Sequence, residues 1–182
     1  MNFIRTLFEK SQEEEGLPPS AETLAEAKKV FFEYSCNGLY MAQNDVNFSQ
    51  YRISKAQQVE WRNEFIAHWR SQLSTEDLTA IQKLRDAQAT EAIPDLLTMV
   101  GKGDSYAQLR IAEALWALSY LVNNDKALKK QAKATAIQLA QSILNNPIQA
   151  SESHKLEMAK LGGNDPKKYI TLFAENVVND GK

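Results

Sequence analysis

The sequence predicts an all-α protein: a compact bundle of about eight helices that forms a single domain over residues 1–182. Apolar residues recur three and four positions apart through most of the chain, which is the spacing of one face of an α-helix. The stretches between them carry Ser and Asp where helices start, and Gly, Asn and Pro where they end. Alternation of apolar and polar residues never persists, so no β-strand is predicted.

The first predicted helix covers residues 1–15 and ends before Gly16 and Pro18-Pro19, since two prolines cannot continue a helix. Its apolar residues follow helical spacing at Phe3, Ile4, Leu7 and Phe8. Such a face can lie on a membrane or dock on the core of its own domain, and we expect docking. A second helix is capped by Ser20. Gly38 is predicted either to end this helix near Asn37 or to bend it, in which case residues 39–41 continue it.

The third helix begins at Ser54, because the stretch 54–57 (Ser-Lys-Ala-Gln) is a capping box, and it runs to about Ser71. Its predicted buried face is formed by Val59, Phe65, Ile66, Trp69 and Leu73. Trp61 lies at the polar boundary of this face, so we expect its side chain to be partly exposed.

The middle of the chain predicts three more helices. Residues 74–77 (Ser-Thr-Glu-Asp) cap the fourth, and the fifth lies near residues 90–100. The stretch 101–105 turns the chain into a sixth helix, residues 106–122, which is apolar around nearly its whole circumference. A helix with almost no polar face is covered on several sides, so this helix is predicted to lie at the centre of the bundle.

Asp125 caps a seventh helix, which ends at the stretch 145–147 (Asn-Asn-Pro). A short helix over residues 153–161 follows. Asp165-Pro166, a cap followed by Pro at the first helical position, then starts the last helix. The sequence leaves open whether the N-terminal helix and the segment 147–182 cap the core or belong to it.

Residues 89–121 resemble one helical-hairpin repeat of the HEAT-like class. The resemblance rests on the stretch 92–97 (Ala-Ile-Pro-Asp-Leu-Leu), on Asp104 in the turn, and on the stretch 109–115 (Leu-Arg-Ile-Ala-Glu-Ala-Leu). In that class the turn Asp and the Arg of the second helix orient the two helices, which implies this role for Asp104 and Arg110. The resemblance also implies protein binding, because such folds rarely carry catalytic residues.

Composition limits the partners. Lys and Arg number 21 and Asp and Glu 23, a formal net charge of −2, which gives no general electrostatic reason to expect nucleic acid or a membrane. The one cysteine, Cys36, excludes an internal disulfide and suits a reducing compartment, so we expect a cytoplasmic protein. In size, acidity and helical make-up the chain is similar to bacterial immunity proteins, which implies a toxin as its partner.

Sequence signatures of catalysis and of cofactor binding are missing, including Walker A, dinucleotide-binding, His-Glu-x-x-His and Gly-x-Ser-x-Gly motifs. We therefore expect neither an enzyme nor a cofactor. One polar face offers an alternative, a metal- or small-molecule-binding enzyme, because Glu60, Glu64 and His68 are spaced four residues apart on one helix. We prefer to interpret it as a solvated helix face, since Glu64 and His68 fall short of the four ligands of a zinc site.

Two further sets of charged residues stand out in the sequence. Four lysines share one face of the seventh helix; we prefer a solvated face, with an acidic protein as the alternative, while the lack of interleaved aromatic residues disfavours nucleic acid. Arg110 and Glu113 are three residues apart and predict a structural ion pair that Asp104 extends.

Together the observations favour a non-enzymatic protein-binding module. The residues expected at its interface are Trp61, Glu64, His68, Lys126, Lys129, Lys130 and Lys133.

Overall fold

Nine α-helices and two single turns of 3-10 helix make up the computed structural model, which describes residues 19–163 and 165–179. The helices are α1 (Ala21–Glu33), α2 (Gly38–Gln43), α3 (Lys55–Ser71), α4 (Thr79–Asp86), α5 (Ile93–Thr98), α6 (Ser105–Leu121), α7 (Lys126–Asn145), α8 (Glu152–Lys160) and α9 (Pro166–Asn179). The 3-10 turns are Phe48–Tyr51 and Thr90–Ala92. No β-strand occurs in these two ranges, which confirms the all-α prediction. The helix predicted over residues 1–15 lies outside them.

Most helices start at the predicted caps. The hydroxyls of Ser20 and Ser54 each accept a hydrogen bond of 3.2 Å from the backbone N–H three residues later, and Asp125 accepts one of 2.8 Å in the same way. Each cap satisfies one of the N–H groups that the start of a helix leaves unpaired.

Some boundaries differ from the prediction. Helix α1 ends before Asn37, because Ser35 has a φ of 53°, outside the helical region. The stretch 74–77 does not cap α4, which begins at Thr79 after Leu78 and has no side-chain cap.

Helix α6 lies at the centre of the fold, as its apolar sequence predicts. It packs against α4, α5, α7 and α9. The side chains of Leu109, Leu115 and Leu118 are fully buried between these neighbours. Removing such apolar surface from water contributes about 25 cal/mol per Å², the largest favourable contribution to folding. The C-terminal part of α6 departs from this pattern, since Ala117, Tyr120 and Leu121 lie at the surface.

Helices α1 and α3 share a smaller apolar cluster, and here the predicted buried face of α3 is partly wrong. Val59, assigned to that face, is 58% exposed, whereas Trp61, predicted to be partly exposed, is only 5% exposed. The ring of Trp61 packs against Phe31 of α1, with the ring centroids 6.1 Å apart. Apolar residues occur on more than one side of α3, and the position of α1 decides which side is buried.

The turn before α6 leaves no room for a side chain at Gly103. Its φ is +76°, and a Cβ atom there would lie 2.7 Å from the Cβ of Thr75. Gly101, in the same turn, has a φ of +79° and open space around it. Gly101→Ala is therefore expected to lower the free energy of unfolding by about 1 kcal/mol through backbone strain. Gly103→Ala is expected to lower it by about 3 kcal/mol, because the clash adds to the strain. Urea unfolding measures both variants, and equal losses would contradict the close packing on Thr75.

Candidate functional site

An open groove of about 830 Å³ runs between α1, α3 and α4; we call it the α1–α3 groove. Its walls carry three aromatic side chains, Phe32 from α1 and Phe65 and Trp69 from α3. Charged and polar side chains surround them, namely Lys29, Glu33, Glu64, His68 and Lys83. An apolar floor with a polar rim is the usual layout of a binding surface.

The aromatic residues of the groove form one connected wall. Phe32 meets Phe65 edge to face, with the ring centroids 5.2 Å apart, and Phe65 meets Trp69 in the same way at 6.0 Å. His68 stands edge-on against Trp69 at 4.9 Å. Phe65, in the middle of the wall, is buried, while Phe32 and Trp69 at its two ends are half-buried and line the groove. Edge-to-face contacts of this kind hold the rings in place before any partner binds.

The charge of Glu64 at the rim is compensated by Lys28. The Nζ atom of Lys28 donates hydrogen bonds of 2.8 and 2.6 Å to the two carboxylate oxygens, and it lies 5.3 Å from the centroid of the Phe32 ring. Both side chains are partly exposed, so the pair contributes between 0 and about 1 kcal/mol to stability. Its main effect is to fix the position of a carboxylate at the edge of the groove.

Only part of the polar face predicted on α3 belongs to the groove. Glu64 and His68 line the groove, but the side chain of Glu60 is engaged elsewhere, accepting a hydrogen bond of 2.8 Å from Gln57. Residues 19–163 and 165–179 contain no group of three or more His, Cys, Asp and Glu side chains that could hold a metal ion. Nor is Cys36 a ready nucleophile, since burial raises the pKa of its thiol to about 12.

Trp61 does not belong to the groove, because its side chain is buried against Phe31. Trp69, assigned to the core by its sequence spacing, is the tryptophan that the groove exposes. One sequence signal could have indicated this surface: Phe31 and Phe32 are consecutive on α1 and therefore point about 100° apart. With Phe31 packed on Trp61, Phe32 must face a different neighbour.

A second surface lies where α6 meets α7. It consists of four lysines of α7 and two exposed apolar residues at the end of α6, namely Lys126, Lys129, Lys130, Lys133, Tyr120 and Leu121; we call it the lysine–aromatic surface. The Nζ atom of Lys133 lies 4.9 Å from the centroid of the Trp116 ring and 5.7 Å from that of Tyr120. None of these ammonium groups forms a salt bridge with a carboxylate in the described part of the chain.

The predicted ion pair on α6 is present. The guanidinium of Arg110 donates a hydrogen bond of 2.7 Å to Glu113 and a second one to the side-chain oxygen of Gln82. Arg85 lies 3.9 Å from the same carboxylate of Glu113. The side chain of Arg110 is nearly buried, so these partners compensate a charge that would otherwise be costly to bury. The network joins α4 to α6 and is structural.

Asp104 does not extend this network, contrary to the prediction. One of its carboxylate oxygens caps α6, accepting a hydrogen bond of 2.9 Å from the N–H of Ala107. The other lies 2.6 Å from the N–H of Ser151 and 2.7 Å from Nδ1 of the buried His154. Burial alone raises the pKa of Asp104, but these three donors outweigh it and hold that pKa below the ordinary value. The residue that the sequence assigns to a hairpin turn thus also ties α8 to α6.

Comparisons with known proteins do not identify these surfaces: no family model, no curated protein and no solved structure matches the chain. Within the described residues, no helix has both the length and the apolarity to cross a membrane. The α1–α3 groove and the lysine–aromatic surface are therefore the two candidate binding sites.

Proposed function

We propose that this protein acts by binding another protein, without chemistry of its own, and that the α1–α3 groove is the main contact site. The observation that carries the proposal is the aromatic wall of Phe32, Phe65 and Trp69 within a charged rim. Interfaces have this arrangement, and tryptophan is among the residues that contribute most to their affinity.

The occupant that fits the groove is a short amphipathic helix of the partner. Phe32 of α1 and Trp69 of α3 supply the exposed part of the aromatic wall, while Phe65 is buried between them. A partner helix that lies between α1 and α3 can place apolar side chains of one face on both rings. Lys29 and Lys83 at the rim suit acidic residues beside those anchors, and Glu33 suits a basic one.

An inhibitor that neutralises a cognate toxin is the specific form of this function that the similarity to immunity proteins suggests. The proposal then requires that the partner be harmful when it is produced alone. It also requires that co-expression with this chain restore growth, and that the Trp69→Ala variant restore it poorly. If the partner proves harmless when it is produced alone, the proposed binding function stands and the proposed immunity function is ruled out.

A ligand-binding enzyme is the second candidate, and the size of the groove favours it, because about 830 Å³ falls in the range of small-molecule sites. Glu64 and His68 would act at its rim. A metal-dependent form would need further ligands, and the described residues bring no third one to this pair. Thermal-shift screening with divalent metals and metabolites separates the candidates, since the enzyme requires a ligand that stabilises the purified chain.

Affinity capture with matched variants tests the proposed function. The tagged chain is expected to capture one stoichiometric protein from its own host, and the purified partner is expected to rebind it. Trp69→Ala removes the exposed anchor and is expected to lose the partner, with circular dichroism checking that it remains folded. Val59→Ala is the control, since it removes an exposed apolar side chain from the same helix outside the groove. Capture of the same protein by Trp69→Ala would contradict the proposed site.

A further inference from the structure

The lysine–aromatic surface combines a cationic stripe with exposed apolar area. The ammonium group of Lys133 lies near the rings of Trp116 and Tyr120. Tyr120 is 51% exposed and Leu121 is 39% exposed, although both belong to a helix that is mostly buried. Apolar residues that lie together at the surface, next to charged ones, are typical of an interaction site.

The positive charge of this surface comes from the four lysines alone and does not continue along the chain. Besides the four lysines, the nearest charged residue along the chain is Asp125, whose carboxylate caps α7 by accepting a hydrogen bond from the N–H of Leu128. Without these four lysines the chain has 17 Lys and Arg against 23 Asp and Glu, so the remainder is acidic. The rest of α7, residues 134–145, carries no charged residue, so the stripe matches a short negative segment and not a long one.

We propose that this surface binds an acidic segment of a protein, in which an apolar residue lies among the carboxylates. Lys126 and Lys133 are seven residues apart on α7, a distance of about 10 Å along the helix axis. An extended segment of three or four residues covers that distance, since a strand rises about 3.3 Å per residue. Its carboxylates pair with the lysines, and its apolar side chain lies on Tyr120 and Leu121.

Nucleic acid fits this surface less well than an acidic peptide does. The affinity of a protein for nucleic acid depends on the number of phosphates that it neutralises, and a stripe of about 10 Å reaches few of them. The rest of a nucleic-acid strand would extend beyond the four lysines, and residues 134–145 of α7 add no further positive charge to hold it. Tyr120 supplies an exposed ring that can stack on a base, but Leu121 beside it offers only an apolar contact, which suits an apolar side chain of a peptide better than a base.

Fluorescence anisotropy with a labelled peptide, in which the segment Glu-Glu-Leu-Glu is flanked on each side by Gly-Ser, tests the proposal at about 0.15 M salt. A second peptide has Gly in place of Leu. The full chain is expected to bind the Leu peptide about fivefold more tightly than the Gly peptide, because the Leu buries apolar surface. Tyr120→Ala is expected to abolish this preference. Replacing Lys126, Lys129, Lys130 and Lys133 with Gln is expected to weaken binding by at least about tenfold.

The matched control replaces four exposed lysines elsewhere in the chain with Gln, namely Lys55, Lys160, Lys167 and Lys168. It changes the net charge by the same amount and is expected to leave the affinity unchanged. The proposal is overturned if the wild-type chain does not bind the peptides or if both lysine variants lose affinity equally. It is also overturned if an oligothymidylate of the same charge binds more tightly than the Leu peptide. Trp69→Ala is expected to bind as the wild type does; lost binding would place the peptide in the α1–α3 groove instead.

Discussion

Replacing Trp61 with Ala is expected to lower the free energy of unfolding by about 3–5 kcal/mol, the usual cost of deleting a buried aromatic side chain. The ring of Trp61 fills the space between α3 and α1, where it packs on Phe31 within a cluster that includes Ala27 and Met41. Ala at this position leaves a cavity that the surrounding helices cannot fully close. Urea unfolding monitored by circular dichroism measures the loss.

Trp69→Ala is the matched comparison, because the same residue type is removed from the same helix. Its ring is half-buried at the groove, and its loss is expected to cost about 1 kcal/mol, the typical value for a substitution that leaves no closed cavity. Similar losses of stability for the two variants would contradict the difference in burial between Trp61 and Trp69.

Asp104→Ala is expected to lower the free energy of unfolding by about 3 kcal/mol, by removing a helix cap and an acceptor for buried groups. The variant leaves the N–H of Ala107 uncapped and takes the carboxylate away from the buried ring of His154. Asp125→Ala is the control. Asp125 caps α7 with the same geometry at an exposed position, so its loss is expected to cost about 1 kcal/mol. Equal losses would mean that the link from Asp104 to α8 contributes nothing.

The pKa of Asp104 adds a pH dependence to this prediction. Because that pKa is lower in the folded chain than in the unfolded one, the ionised carboxylate stabilises the fold above the unfolded value, about 3.9. This contribution is lost as the pH falls through the folded pKa. The stability difference between the wild type and Asp104→Asn is therefore expected to shrink as the pH falls from about 5 to about 3. A difference that stays constant over this interval would contradict the role of the carboxylate.

Local signals in the sequence predict most of the helices. A cap such as Ser54 or Asp125 works through a hydrogen bond to an N–H three residues later, so its effect can be read from neighbouring residues. The central position of α6 is also predictable, because a helix that is apolar on every side must be covered on every side. The buried face of α3 is not, since Val59 and Trp61 exchange places according to where α1 lies.

The groove itself could not be read from the sequence. Phe32, Trp69 and Lys83 are far apart in the chain, and only the packing of three helices brings them together. Spacing along α3 identified Glu64 and His68 as one face, and both do line the groove. The same spacing predicted the exposure of Trp61 wrongly, because that exposure depends on the contact with Phe31 and not on the place of Trp61 along α3.

The affinity of the captured partner for matched variants tests the central claim most directly, namely that the α1–α3 groove binds a protein. Titration calorimetry with the purified partner is expected to give a Kd at least about 30-fold weaker for Trp69→Ala than for the wild type, equivalent to a loss of about 2 kcal/mol. Val59→Ala, on the same helix and outside the groove, is expected to bind as the wild type does. Wild-type affinity in the folded Trp69→Ala variant would contradict the account and place the partner on another surface.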